Sequence, residues 1–356
     1  MKILAAASAF PEHYCPQADA TAALIETWGD RLSSPDLLRR IHSRAQVDGR
    51  YLALPLEAYP ALKTWGEANR AWMRVAEKIG SDALCRAATN AGISSRDIDA
   101  LFFVSITGVS SPSMDAKIIN RLHLNPNMRR VPIFGLGCVA GAAGLSQAAD
   151  YVRAYPERIA ALVSVELCTL TVQYDDLSRA NLISTGLFGD GAAAVLVAGA
   201  EREVPVAAHE PSGPEIVATR SVFYPDTEDV MGWDVSERGF RIVLSPGVPE
   251  IIGEHLRQDV DAFLADHDLK RADIGCWVMH TGGPKVLEAT QAALEVDREA
   301  LAASWDCLRR MGNLSSASVL IVLEEIMTHR RPAPGTWSVL AAMGPGFCCE
   351  MLLLRW

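Results

Sequence analysis

Short runs of unbroken apolar residues alternate along this chain with longer stretches whose apolar positions recur every three or four residues. The unbroken runs predict strands over 3–9, 101–108, 131–134, 159–165, 192–197, 241–244, 276–279, 337–342 and 348–354. Most are apolar at nearly every position, as in strands covered on both faces of a layered sheet; 131–134, too, reads as a buried strand. The helical spacing predicts helices over 20–28, 36–41, 68–88, 113–122, 140–151, 248–265, 284–294 and 314–329. Pro55 and Pro60 break the segment between the second and third helix. A polar, Pro/Gly-containing stretch over 199–214 lacks either period. It marks a boundary between an N-terminal half, 1–205, and a C-terminal half, 206–356.

The two halves echo each other. LFFVSITG, ending at Gly108, matches CWVMHTG, ending at Gly282. Gly137-Cys138 and Gly312-Asn313 each open a helix of small residues, and FGDGAAAVLV from Phe188 matches MGPGFCCEMLLL from Met343. Three pairs in one order point to a duplicated α/β unit related by a pseudo-twofold axis.

Composition narrows the function. The 356 residues are 49% hydrophobic, enough for one large or two moderate cores. The net charge of −10 and the lack of a long basic run argue against nucleic acid or an anionic membrane as main partner. No apolar run reaches the length of a membrane span. Eight cysteines, none in a CxxC pair, read as reduced thiols rather than a disulfide frame or metal site, and place the protein in the cytoplasm. The first residues lack a signal-peptide core and read as a strand.

One of those thiols has a special setting. Cys138 follows a short apolar run and a glycine turn, at the positive end of a helix, which favours the thiolate. Its twin under the duplication is Asn313, and His280 ends a strand beside the same axis. An imidazole beside a thiol readies it for acyl transfer, and a carboxamide donates to an oxyanion without proton transfer. Each also has a structural reading: a buried packing cysteine, a satisfied strand-end histidine, a helix N-cap asparagine.

GCVAGAAGL at Cys138, LFGDGAAAVL at Phe188, HTGGPKVL at His280, GNLSSASVL at Asn313 and MGPGFCCE at Met343 together resemble the type III polyketide synthases, the chalcone synthase-like enzymes, over nearly the whole chain. The resemblance implies a thiolase-like α/β fold, a duplicated αβαβα layering, and a homodimer. It implies Cys138 as the acyl-accepting nucleophile, and His280 and Asn313 as the pair that activates it and holds the malonyl-derived enolate. Phe188 falls at the gatekeeper position, with a second gatekeeper at Phe240 or Ile242. Ile106, Thr107, Cys168, Thr171, Ser315 and Met343 fall where the family lines its substrate pocket, and Arg40 and Arg44 where it holds CoA phosphates. TGVSSPSMDAK with VELCTLT is most similar to bacterial alkylpyrone and alkylresorcinol synthases. The expectation is iterative condensation of malonyl-CoA onto a fatty acyl-CoA starter, without metal or other cofactor. The rival is a β-ketoacyl synthase III-like enzyme making one condensation, against which HTGGP and GNLSS speak.

Overall fold

Side chains that alternate along the central strands sort into separate cores, and the layering follows from that alternation. The computed structural model describes residues 1–203 and 213–356. The predicted boundary between halves, at 205/206, lies outside the described residues. The strands are β1 (Lys2–Ala9), β2 (His13–Pro16), β3 (Gly49–Leu52), β4 (Ala100–Val104), β5 (Arg129–Ile133), β6 (Ile159–Leu167), β7 (Asp190–Ala198), β8 (Glu215–Phe223), β9 (Met231–Ser236), β10 (Gly239–Leu244), β11 (Ile274–Met279), β12 (Trp337–Gly344) and β13 (Cys348–Arg355). The helices are α1 (Gln17–Trp28), α2 (Pro35–Arg44), α3 (Trp65–Ala91), α4 (Met114–Leu122), α5 (Ala140–Ala154), α6 (Arg179–Leu187), α7 (Val248–Ala265), α8 (Pro284–Leu294), α9 (Ala302–Met311) and α10 (Ala317–His329).

Nine strands form one sheet in the order β11-β12-β13-β8-β1-β7-β6-β4-β5. β8 and β1 share a single register pair, Lys2 with Glu215. The sheet is thus two sheets joined at a seam. On the N-terminal side β4 runs parallel to β6, β6 antiparallel to β7, and β7 antiparallel to β1. On the C-terminal side β11, β12, β13 and β8 repeat that order and those directions. The duplication read from the sequence is therefore a property of the fold.

Phe102, Val104, Leu162 and Val195 point from the N-terminal sheet into a core shared with Leu340 and Leu352 of the other sheet and with α5 and α10. Their neighbours Leu101, Phe103, Val163 and Leu196 face the opposite way, onto α3. In the C-terminal sheet Val339, Met351 and Leu353 face α7 and α8. Five layers result, with α5 and α10 in the middle. Close packing there requires glycine: a Cβ on Gly141 would lie 2.1 Å from the Ser316 carbonyl oxygen.

Several elements depart from the sequence reading. The stretch 131–134 is no buried strand: β5 is an edge strand, largely solvent-facing, and Phe134 after it is 54% exposed. The last helix begins at Ala317 rather than 314, because Ser315 adopts a left-handed φ of 47°. α6, α9, β2, β3, β8 and β9 had no predicted counterpart.

Candidate active site

Cys138 sits in a one-turn 3-10 segment, Gly137–Val139, that runs into α5. Gly137 has φ 53°, and a Cβ there would lie 2.5 Å from the Pro345 ring. The turn is thus pressed against the β12–β13 connection of the other half. From it the Cys138 side chain faces a largely apolar cavity. Ile106, Cys168, Thr171, Phe188, Ile242 and Ser315 of the predicted residues line the same cavity. Leu24, Leu52, Leu56, Tyr59, Tyr174 and Trp233 complete much of its wall and were not read from the sequence.

Cys138 Sγ donates to Ser315 Oγ at 3.5 Å. Ser315 in turn belongs to the turn of Asn313: its backbone N–H donates to Asn313 Oδ1 at 2.8 Å, and Ser318 Oγ donates to the same oxygen at 3.4 Å. The carboxamide oxygen is thereby occupied, and the amide N–H2 is the group left to act as donor. Asn313 is not merely a helix cap, since α10 starts four residues later. Its backbone forms a bridge with Phe188: Asn313 N–H donates to the Leu187 carbonyl at 2.9 Å, and Gly189 N–H donates to the Asn313 carbonyl at 3.0 Å.

His280 follows β11, with its N–H on the Ala341 carbonyl of β12 at 3.1 Å. β12 also packs against the Cys138 turn. The imidazole is buried and its Nδ1 has no hydrogen-bond partner. His280 and Asn313 are not part of the cavity lining. Burial holds the imidazole pKa down at about 4. Burial also pushes the Cys138 thiol up to about 11, against the lowering effect of the Ser315 hydroxyl. Burial thus opposes the thiolate that the helix dipole favours, and it disfavours the imidazolium as well.

A carboxyl that the sequence reading passed over lies behind the thiol. Glu166, fully buried on β6, accepts from the Ile106 N–H at 3.1 Å, Thr107 Oγ1 at 2.9 Å, Ser105 Oγ at 3.4 Å, and Ser316 Oγ. Burial raises it to about 7 despite those donors. One charged letter in the otherwise apolar IAALVSVEL was the signal for it.

The second-gatekeeper alternatives separate cleanly. Ile242 lines the cavity, while Phe240 is buried among Trp65, Phe134 and Trp233. Two other predicted pocket residues, Thr107 and Met343, stand off the wall. Thr107 is spent on Glu166; Met343 packs beside the outer core of the C-terminal half, and Pro345 takes its place in the lining. Arg40 and Arg44 lie exposed on α2.

A thiol at the head of a buried helix, facing an apolar cavity at the join of a duplicated αβαβα fold, marks a Claisen-condensing acyltransferase of the thiolase-like fold. The chain belongs to the chalcone and stilbene synthase family, the type III polyketide synthases: residues 1–201 match the family's N-terminal domain and 215–356 its C-terminal domain. It is 48% identical to a 1,3,6,8-tetrahydroxynaphthalene synthase of Streptomyces peucetius subsp. caesius, over 99% of this chain and 93% of the relative. It is 29% identical to an alpha-pyrone synthesis polyketide synthase-like protein of Mycobacterium tuberculosis, over 98% and 91%. The crystal structure of the bacterial type III enzyme 1,3,6,8-tetrahydroxynaphthalene synthase from Streptomyces coelicolor A3(2) superposes with a TM-score of 0.93 at 30% identity, over 100% of this chain and 99% of that one.

Proposed function

We propose that Cys138 carries the growing chain, and that His280 and Asn313 serve both the thiol and the malonyl group. The neutral imidazole accepts the thiol proton as sulfur attacks the acyl-CoA carbonyl, and the proton leaves on the departing CoA thiol. Malonyl-CoA then loses CO2, and the enolate oxygen is held by the Asn313 N–H2 and His280. The enolate carbon attacks the Cys138 thioester, and the lengthened chain returns to the sulfur for the next round. The observation that carries this is the chain of contacts Cys138–Ser315–Asn313, which starts at the cavity wall and ends on the buried Asn313. Acyl-CoA and malonyl-CoA are substrates, and no cofactor enters the scheme. Arg40 and Arg44, exposed on α2 and without an acidic partner among the described residues, suit the CoA phosphates.

For the product we favour 1,3,6,8-tetrahydroxynaphthalene, on the 48% identity over nearly the full chain. Its oxygens stand on alternate carbons, so malonyl-CoA can supply every two-carbon unit, starter included. A second reading, a fatty acyl starter closing to an alkylpyrone or alkylresorcinol, is favoured by the apolar wall of Leu24, Leu52, Leu56 and Ile242. Mass spectrometry of products from malonyl-CoA alone, then with a ladder of acyl-CoA starters, decides between them. A naphthalene tetrol from malonyl-CoA alone supports the first; product formed only with an acyl starter replaces it with the second. We also take the enzyme to be a cytoplasmic homodimer: all eight cysteines are free, and the outer edge of β5 has no partner strand among the described residues.

A further inference from the structure

The C-terminus of α6 ends at the gatekeeper, and a buried guanidinium is built into it. Arg50, on β3, is 2% exposed. Its Nη1 donates to the carbonyls of Thr185 at 2.7 Å and Phe188 at 3.0 Å, and its Nη2 to that of Gly186 at 2.9 Å. Gln17 Nε2, from α1, donates to the same Gly186 carbonyl at 2.8 Å. Helix C-termini leave carbonyls without intrahelical partners, and a cation is favoured there. A surface helix meets that need with water. This one uses a desolvated guanidinium: burial pulls its pKa down to about 10, and the nearby carboxyl of Asp190, two residues past the gatekeeper, opposes that in part. Asp190 is itself anchored by the N–H groups of Ala53 at 2.6 Å and Thr169 at 2.9 Å.

Phe188 is therefore pinned from both sides, and it is bridged to Asn313 through the backbone. We propose that Arg50, assisted by Gln17, is a positioning residue that sets Phe188 and, across the bridge, the Asn313 carboxamide in register with Cys138. Its planar fork satisfies three carbonyls that diverge from one helix end, and a lysine at that place lacks such a fork. The inference rests on the roles proposed above for Phe188 and Asn313.

The test uses purified Arg50→Lys and Gln17→Leu proteins beside Asn313→Ala. Three readouts are taken: release of CO2 from malonyl-CoA, alkylation of Cys138 by iodoacetamide, and product distribution. Arg50→Lys is expected to lower kcat for decarboxylation about tenfold or more, as small displacements in a catalytic site do. Cys138 alkylation falls far less, and product shifts toward prematurely released, shorter chains. Gln17→Leu shifts them the same way by a smaller factor, and it carries the test alone if Arg50→Lys does not fold. A folded variant whose loss is equal in all readouts, with unchanged product distribution, would mean that the cluster only stabilises the fold, and the proposal falls. If Asn313→Ala itself decarboxylates malonyl-CoA normally, the assignment of Asn313 fails instead.

Discussion

The turn bearing Cys138 and the turn bearing Asn313 hold equivalent places in the two halves, yet they serve opposite ends. Both bend at a glycine of positive φ, 53° at Gly137 and 76° at Gly312. Both are braced by the opposite half: the first by Pro345, the second by its backbone bridge to Phe188. The sulfur of the first is left with one long contact and an open cavity. The carboxamide oxygen of the second is tied down twice, so only its N–H2 remains to bind. Duplication supplied the geometry, and the neighbours of each turn leave a sulfur free at one and an amide N–H2 at the other.

The comparison breaks most directly at the reactive turn. Cys138→Ala is expected to lower condensed-product formation by about a thousandfold or more, as loss of a nucleophile does. Product mass spectrometry checks it; undiminished product would take the acyl chain off this sulfur. At the holding turn, Asn313→Ala is expected to cost about a hundredfold or more in malonyl decarboxylation while Cys138 still takes an acyl group. Release of CO2 and intact-protein mass measure the two separately; loss of acylation alone would reverse the division of labour.

The ionisation state sharpens the contrast. With the thiol held at about 11 and the imidazole at about 4, the thiolate fraction grows as pH rises toward the thiol value. Alkylation of the Cys138 peptide is expected to climb about tenfold per pH unit from neutral upward. A rate already flat at pH 7 would mean a resting ion pair. Peptide-level mass spectrometry is required because Cys85 is exposed and will also react.

The contact between the two turns' helices predicts a smaller effect. Gly141→Ala places a methyl on the Ser316 carbonyl and is expected to destabilise by about 1–3 kcal/mol in urea denaturation. Unchanged stability would show that the middle layer can yield. Smallest of all, Arg40→Ala with Arg44→Ala should raise KM for malonyl-CoA a few-fold at low salt, an effect that shrinks as salt screens it. A KM that does not move would remove α2 from CoA binding.

Much of this was legible in the letters. The matched pairs revealed the duplication because each half must rebuild the same strand, glycine turn and helix. Cys138, Phe188, Cys168 and Thr171, singled out in the sequence, all line the cavity, and each lies beside a glycine turn or strand end with a recognisable pattern. Glu166 and Arg50 were passed over: buried charges break the apolar pattern, and what neutralises them comes from distant segments. Phe240 and Ile242 could not be separated in sequence, since strand register decides which face a residue takes. The run before Cys138 looked buried because apolar content alone does not tell a central strand from an edge. The left-handed Ser315 gave no sign, since no glycine marks it.

The middle layer has one more consequence. α10, from the C-terminal half, packs on β1, β6 and β7 as well as on β11 and β12 of its own sheet, and α5, from the N-terminal half, packs on β8, β12 and β13 as well as on β4, β6 and β7 of its own. Each half thus helps to cover the other's sheet. A gene divided at the junction would yield two fragments, each with a bare oily face. Produced separately, they should precipitate; produced together in one cell, they should find one another and rebuild the enzyme.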